Sequence, residues 1–364
     1  MPTLYDLSLP ELEARIHALG APAYRARQVW EWAYRHFARS YDEMTNVPAT
    51  LRTQLAAELP FPQTRVLAGL VSDDTLTRKR LLRLHDGKLI ESVLMLYDPR
   101  SDSRGRATVC VSSQAGCAMG CVFCATGQAG FERNLSAGEI IAQVAGSARE
   151  QADAGAQRIT NVVFMGMGEP MANYREVWRA VETLNHRDGF ALAARHITIS
   201  TVGLVAGIRR LAEEPLQVGL AVSLHAPDEE LRERLIPTAA HRFPLPSIID
   251  ACNDYVGKTG RRVTFEYCLM SGVNDSVEQA RALAHLVRNT LCHVNLIPVN
   301  PTPDRSIRRP VRARSLAFQR ELAARGVACT VRVEKGVEIS AACGQLRGEP
   351  APAPARLVDA VPLR

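Results

Sequence analysis

Three cysteines stand within eight residues in Cys117-Ala118-Met119-Gly120-Cys121-Val122-Phe123-Cys124, spaced x3 and then x2. A thiolate is a soft ligand, so such a cluster points to zinc or to an iron–sulfur centre. Structural zinc takes four protein ligands, usually from paired C-x2-C hooks, and no second hook lies nearby. Three cysteines on one short loop suit instead a four-iron cluster with one iron left open. An open iron binds and reduces a substrate or cofactor directly. The plain alternative is three buried cysteines that happen to be close, but cysteines at this density on a loop seldom serve packing alone.

A chain of 364 residues has room for one large or two moderate domains. Its hydrophobic content of 46% allows a sizeable core and argues against general disorder. The net charge of +6 leans mildly toward a polyanionic partner. Nine cysteines would suggest disulfides in a secreted protein, with one left over. The start, Met1-Pro2-Thr3-Leu4-Tyr5-Asp6, has neither a basic n-region nor an apolar h-region. No run of about 18 apolar residues marks a membrane span. A reducing cytoplasm is the natural expectation, with cysteines serving a cluster or redox chemistry.

Residues Ser8 to about Pro60 read as helices. Ser8-Leu9-Pro10-Glu11 is a capping box, followed by Leu12, Ile16 and Leu19 at helical spacing and Gly20 as a stop. Gln28 to Phe37 forms a second amphipathic helix with Val29, Trp30, Ala33 and Phe37 on one face. Arg25, Arg27, Arg35, His36 and Arg39 lie on or beside its polar side, either as a grip on RNA phosphates or as a solvated face. From about Thr64 to Tyr97 the period changes to two. Arg65 to Leu70, Thr75 to Leu84 and Lys88 to Leu96 read as strands of a small sheet, with Glu91 on the last. Strand and helix then alternate. The strands are Ala107–Ser113, Ile159–Met165, His196–Val202, Val218–His225, Val263–Met270 and Val294–Asn300, with a last one at Ala328–Val333. Six β/α units imply a parallel sheet curled into a partial barrel, with functional groups at the C-terminal strand ends. The three-cysteine loop directly follows the first of these strands. The organisation expected is a helical region over 1–60, a small β extension over 61–103, the barrel over 104–346 and a flexible Pro/Ala-rich tail over 347–364.

Several strand ends offer small or polar groups. Gly166-Met167-Gly168-Glu169-Pro170 ends the second barrel strand and is not the dinucleotide fingerprint, because Met171 replaces the third glycine. Glycines there let the backbone approach a ligand, and a carboxylate accepts hydrogen bonds from an ammonium group. Ser200 ends the third strand, Ser223-Leu224-His225 the fourth and Asn300 the sixth. Each alone reads as structural; four strand ends facing one mouth read as a cofactor pocket. Cys110 precedes the cluster loop, and Cys343 lies in Ala341-Ala342-Cys343-Gly344, where small neighbours leave room for a substituent or substrate. Cys252, Cys268, Cys292 and Cys329 read as core. Arg305, Arg308, Arg309, Arg312 and Arg314 follow the sixth strand as a basic loop, either solvated or facing an anionic substrate.

These residues resemble one family, the RlmN-type dual-specificity radical S-adenosylmethionine (SAM) methyltransferases. The resemblance runs from about Leu7 to Leu346. It rests on Cys-Val-Ser-Ser-Gln-Ala-Gly-Cys at 110–117, the cluster loop, Gly-Met-Gly-Glu-Pro at 166–170, Ser-Leu-His-Ala at 223–226 and Ala-Ala-Cys-Gly-Gln-Leu at 341–346. One stretch departs from the family pattern: Lys335 and Glu338 stand where an arginine and an aspartate are common. Charge is kept, but a lysine does not reproduce a bidentate arginine. The resemblance implies an α/β fold with a partial (β/α)6 radical-SAM barrel and an N-terminal helical and small-sheet accessory region. It implies that Cys117, Cys121 and Cys124 ligate one [4Fe-4S] cluster, and that Gly168, Glu169, Ser200, Ser223, Leu224, His225 and Asn300 bind SAM. Cys343 would carry a methyl group, Cys110 would resolve it and Glu91 would act as base.

The implied reaction places a methyl on C2 of an adenosine in 23S ribosomal RNA and in certain tRNAs. C2 lies between two ring nitrogens and is electron-poor, so it does not attack a SAM methyl. In the family's mechanism one SAM methylates Cys343 and a second is cleaved to a 5′-deoxyadenosyl radical, which takes hydrogen from that methyl. The carbon radical adds to C2, a base accepts the C2 proton, and Cys110 attacks the Cys343 sulfur to release the product. The target base has to leave its stack to reach a barrel mouth. The expected partners are 23S rRNA, tRNA and a small flavoprotein electron donor, with no membrane, and nothing in the sequence demands more than a monomer. Rival readings are methylation at C8, a zinc-bound RNA-binding module, and a radical-SAM enzyme that activates a protein.

Overall fold

The computed structural model describes residues 2–62, 64–97, 105–302, 306–332 and 335–348. Three helices open the chain, Leu9–Ala18, Tyr24–Tyr34 and Ala49–Glu58. The first starts on the capping box read from the sequence: the Glu11 N–H donates to the Ser8 hydroxyl, and the Ser8 N–H donates to the Glu11 carboxylate at 2.7 Å. The second runs three or four residues earlier at each end than its periodicity suggests. Phe37 has φ 55°, a left-handed conformation that no helix continues through, and Arg149 holds the Phe37 and Ala38 carbonyls in place. Val29, Trp30 and Ala33 are buried as expected.

The period-two segment forms β1 (Arg65–Val71), β2 (Thr77–Arg83) and β3 (Leu89–Tyr97). The first barrel strand is β4 (Arg106–Cys110), followed by two short strands, β5 (Gln114–Gly116) and β6 (Phe131–Asn134). The alternating part supplies β7 (Asn161–Phe164), β8 (Ile197–Thr201), β9 (Gly219–Ser223), β10 (Val263–Leu269), β11 (Cys292–Pro298) and β12 (Cys329–Val331). These form one ten-stranded sheet in the order β1-β2-β3-β4-β7-β8-β9-β10-β11-β12. Within this sheet every pairing from β4 onward is parallel, with helices between the strands, as the β/α alternation requires. Among the described residues its edges β1 and β12 do not pair with each other, which leaves the barrel open there. Burial in β9 and β10 is nearly continuous, the mark of strands covered on both faces.

Two features differ from the sequence expectation. The small sheet is not separate: β3 pairs antiparallel with β4, with Val93 opposite Cys110, so the ladder crosses the 103/104 boundary. And β5 and β6 form a hairpin around the cysteine loop that the sequence pattern did not reveal. The helical region rests on the outside of the barrel. Asp6 accepts the Gly138 N–H at 2.7 Å, and Arg179 reaches both the Asp6 carbonyl and Glu11. Arg347 and Gly348, placed in the tail by composition, are held against the protein, while residues 349–364 lie outside the described residues.

Candidate active site

The cysteine loop is framed by the β5–β6 hairpin and by the short helix Ala125–Ala129. The Cys117 N–H donates to the Gly130 carbonyl at 2.7 Å, which closes the hairpin at the first cysteine. The Val122 N–H donates to the Leu235 carbonyl and the Cys124 N–H to the Cys121 carbonyl. All three thiols line one cavity of about 160 Å³. Burial pushes Cys117 up to about 12, Cys121 well above the usual thiol range and Cys124 in the same direction. Such thiols ionise when a metal replaces the proton. Among the described residues no group of three His, Cys, Asp or Glu side chains gathers closely enough to share a single metal ion, as a zinc site would require. A four-iron cluster gives each thiolate a different iron, and thiols spread round a cavity fit that donor set.

The opposite wall of this cavity comes from the strand ends. Gly168, Glu169, Ser200, Ser223 and His225 all line it. Gly168 adopts φ +101°, and a Cβ there would lie 2.5 Å from Gln114. Glu169 accepts the Met171 and Val202 N–H groups at 2.9 and 2.8 Å. Burial raises its carboxyl to about 7 against the pull of those two donors. His225 sits at φ 58°, and its Nδ1 accepts the Cys268 N–H at 2.9 Å, which assigns the ring proton to Nε2. Burial, aided by the Arg232 charge, lowers its pKa to about 3, so the ring is a neutral donor at physiological pH. Leu224 does not line the cavity; its side chain is fully buried and its N–H donates to the Glu266 carbonyl.

The Glu169 carboxyl gives a pH prediction. An acid with a raised pKa is neutral below about 7 and anionic above it. If Glu169 is the partner expected for the SAM ammonium, that ammonium meets an anion only on the alkaline side. SAM affinity of the cluster-loaded protein should therefore rise from about pH 6 to about pH 8, with binding below 7 releasing a proton. Glu169→Gln should bind SAM weakly and flatten the dependence. A SAM titration at several pH values checks both; a wild-type affinity that does not change with pH would exclude Glu169 as the ammonium's partner.

A second cavity, of about 90 Å³, adjoins the first. Cys110 from the end of β4 lines it, with Val93, Met95, Tyr97 and Met165 as apolar walls. Cys343 lines both cavities, so the topology joins two cysteines that lie 233 positions apart in sequence. Both are thiols here. Burial, with the Cys343 thiol adding to it, pushes Cys110 up to about 12. The Cys343 carbonyl accepts from the Asn300 amide at 3.1 Å, while the buried Asn300 Oδ1 has no hydrogen-bond partner among the described residues. Asn300 therefore belongs to the second cavity rather than to the wall formed by Glu169 and His225.

Sequence reasoning missed Arg332, which follows β12 and lines both cavities. Among the described residues no acceptor is hydrogen-bonded to its guanidinium, and its charge faces Cys343, Glu266, Tyr97 and Cys110, which hold it protonated more firmly than usual. Glu266 is the matching signal: an acid inside the otherwise apolar strand β10. Glu91 is placed differently from expectation. It lines neither cavity, is 1% exposed and pairs with Lys79 at 2.9 Å.

The basic groups are partly spent inside the protein. Arg39 pairs with Asp153 at 2.7 Å, Arg35 donates to the Arg187 carbonyl and Arg25 to Gln28 and the Asn46 carbonyl. Arg314 pairs with Asp275 at 3.2 Å. Arg308 and Arg312 remain on the described surface beside the strand ends, and Arg305 lies outside the described residues. No helix among the described residues is long and apolar enough to cross a membrane.

Comparison with known proteins bears on this arrangement. Residues 111–284 match the Radical SAM superfamily, and residues 3–59 match the ribosomal RNA large subunit methyltransferase N-terminal domain. A protein of Chloroflexus aurantiacus named "Probable dual-specificity RNA methyltransferase RlmN" is 51% identical over 95% of this chain and 92% of its own length. The "Ribosomal RNA large subunit methyltransferase N" of Nitrosopumilus maritimus is 51% identical over 95% of this chain and 99% of its own. The crystal structure of a radical SAM methyltransferase from Sphaerobacter thermophilus superimposes with a TM-score of 0.92 at 53% identity, covering 96% of this chain and all of that one. With half the residues shared along nearly the whole length and both family regions present in order, the chain belongs to the RlmN family of radical SAM RNA methyltransferases.

Proposed function

We propose that this protein methylates C2 of an adenosine in 23S ribosomal RNA and in tRNA, with the methyl carried on Cys343. The observation that carries the reading is Cys343 lining both the cavity of the three loop cysteines and the cavity of Cys110. Cys117, Cys121 and Cys124 would hold the [4Fe-4S] cluster. Gly168, Glu169, Ser200, Ser223 and His225 would hold SAM, with Leu224 contributing through its backbone and Asn300 from the Cys343 side. When bound, cluster and SAM together supply the methyl group and the one-electron chemistry that activates it.

The chain's own residues do the rest. The Cys343 sulfur accepts the methyl and presents it to the neighbouring cavity, whose apolar walls exclude water and suit a flipped purine. Glu91 accepts the C2 proton once its carboxylate is freed from its present partners. The Cys110 sulfur then attacks the Cys343 sulfur. A disulfide forms, and the Cys343 sulfur–carbon bond breaks with its electron pair left on the carbon. That carbon takes up a proton to complete the methyl group, and the methylated base leaves. Two electrons from a thiol reductant restore both cysteines. The helical region, the arginines near Arg308 and the surface beside the strand ends would grip the RNA around its displaced base. A small flavoprotein would supply electrons, and a monomer working in the cytoplasm suffices for all of this.

Arg332 enters through Cys110. A thiol pushed up to about 12 is almost wholly protonated near neutral pH, and the Arg332 charge opposes that shift together with a hydrogen bond from the Met165 backbone. Arg332→Met should raise the thiol further. Thiolate fraction then falls about tenfold per unit while nucleophilicity regains about half of that on a log scale, a net loss of about threefold per unit. Product release should slow by about three- to tenfold, and in the wild type it should quicken about tenfold per pH unit near neutrality. Quenched time courses of the RNA-linked species check this; release that ignores both pH and the substitution would remove Arg332 from the step.

The functional test is the nucleoside made. Cluster-loaded protein, SAM, reductant and unmodified 23S rRNA fragment or tRNA are combined without oxygen, and the RNA is digested for mass spectrometry. 2-Methyladenosine is the expected product. 8-Methyladenosine would move the target carbon, and no methylated adenosine despite SAM cleavage would assign the scaffold to another substrate.

A further inference from the structure

Glu91 and Lys79 form an ion pair sealed from solvent, with side chains 1% and 6% exposed. They sit on one face of the sheet as diagonal neighbours, since Lys79 opposes Val93 and Glu91 opposes Leu81 across β2 and β3. A sealed pair of this kind adds little net stability over apolar residues of the same size, so its charges call for another use. Their remaining partners all lie on one segment. Lys79 Nζ donates to the Ser340 carbonyl at 3.2 Å. The other Glu91 oxygen accepts the Arg347 N–H at 2.6 Å and the Gly348 N–H at 3.3 Å. The pair thus grips the chain three residues before Cys343 and again four and five residues after it. The middle of the segment is tied to the other side of the site. The Ala125 N–H donates to the Gly344 carbonyl at 2.8 Å, and the Thr126 hydroxyl to the Leu346 carbonyl at 2.6 Å. Ser340 itself is bent to φ 53°, a conformation that needs an outside hold.

We propose that Lys79 is a positioning residue that, with Glu91, clamps the Cys343 segment across the accessory strands and so fixes the thiol between the two cavities. Lys79 bridges the two ends of the clamp, because it touches both Ser340 and the carboxylate that holds Arg347 and Gly348. In this closed arrangement both Glu91 oxygens are committed. Glu91 becomes a free base only when the Arg347–Gly348 end lets go, and Lys79 then still holds the Ser340 end. The inference rests on Cys343 carrying the methyl.

The test uses the full chain with Lys79→Met and Lys79→Arg. Amide exchange is read first, without SAM or RNA, by hydrogen–deuterium mass spectrometry. In Lys79→Met, exchange at Ala341, Arg347 and Gly348 should rise about tenfold or more while β10 is unchanged. Methyl uptake by Cys343 from SAM in the cluster-loaded chain, read by peptide mass, should fall about tenfold. Lys79→Arg should restore both to within about threefold, because it keeps the charge and the reach to Ser340. Unaltered exchange in Lys79→Met, or faster exchange with unaltered methyl uptake, overturns the clamp. If Lys79→Met does not fold, Glu91→Gln serves: it must loosen Arg347 and Gly348, and wild-type exchange there overturns the proposal equally. A wild-type chain that never takes a methyl on Cys343 overturns the functional reading instead, and the exchange comparison then decides the clamp alone.

Discussion

Cys110→Ala is expected to leave the protein covalently joined to its RNA. In the proposed sequence the base is bonded through its new carbon to the Cys343 sulfur until a second sulfur attacks. Cys110 shares the cavity with Cys343, and its burial keeps water and outside thiols from substituting for it. Alanine removes one sulfur atom from a buried site, at a cost of about 1 kcal/mol, so the fold survives and the chemistry up to that bond proceeds. One turnover should convert most of the active protein into a species of protein-plus-RNA mass, stable to denaturation, while multiple turnover falls by at least about a thousandfold. Adding Cys343→Ala to the same background should abolish the adduct altogether. Denaturing gels with labelled RNA and intact-mass analysis read both outcomes. Free methylated RNA released from Cys110→Ala at the wild-type rate would refute the role of Cys110. An adduct that survives the loss of Cys343 would refute the role of Cys343.

The sequence revealed those parts of the fold whose physics is local. Ser8–Glu11 is a capping box in the chain and in the structure, and the structure adds two more at Ser136–Glu139 and Ser276–Gln279. The β/α alternation is visible because each strand is a short apolar run between amphipathic helices. Strand-end reasoning drew Gly168, Glu169, Ser200, Ser223, Leu224, His225 and Asn300 toward one mouth; five of them line one cavity, while Leu224 is fully buried outside its lining and Asn300 lines the neighbouring one. What escaped was non-local. Strands β5 and β6 have three and four residues, too short for any period to register. The pairing of β3 with β4 joins the accessory strands to the barrel, and no periodicity encodes which edges meet. Arg332 and Glu266 went unremarked in the sequence; only the sheet order brings them to one wall. Glu91 shows the converse. Its resemblance-based role as a base says nothing of Lys79, Arg347 and Gly348, which occupy its carboxylate.

The hairpin that the periodicity hid should be the part least able to tolerate an added methyl. A Cβ on Gly116 would lie 2.0 Å from the Gly130 carbonyl oxygen, at a backbone φ of +72°. That oxygen belongs to the backbone, so no side-chain rotation relieves the clash, and it accepts the Cys117 N–H that closes the hairpin at the first cysteine. Gly116→Ala must part the two strands, break that hydrogen bond and shift Cys117 away from Cys121 and Cys124. The barrel core lies in other elements, so the chain should still fold. Iron content after reconstitution should drop from about four per chain to less than about half of that, with the visible absorbance falling in step. Gly155→Ala separates strain from collision: φ there is +59°, with nothing within 4 Å of an added Cβ. It should cost about 1 kcal/mol of stability and no iron. Full loading of Gly116→Ala would mean that the hairpin is incidental. Equal loss in both variants would mean that backbone strain, not the Gly130 contact, governs cluster retention.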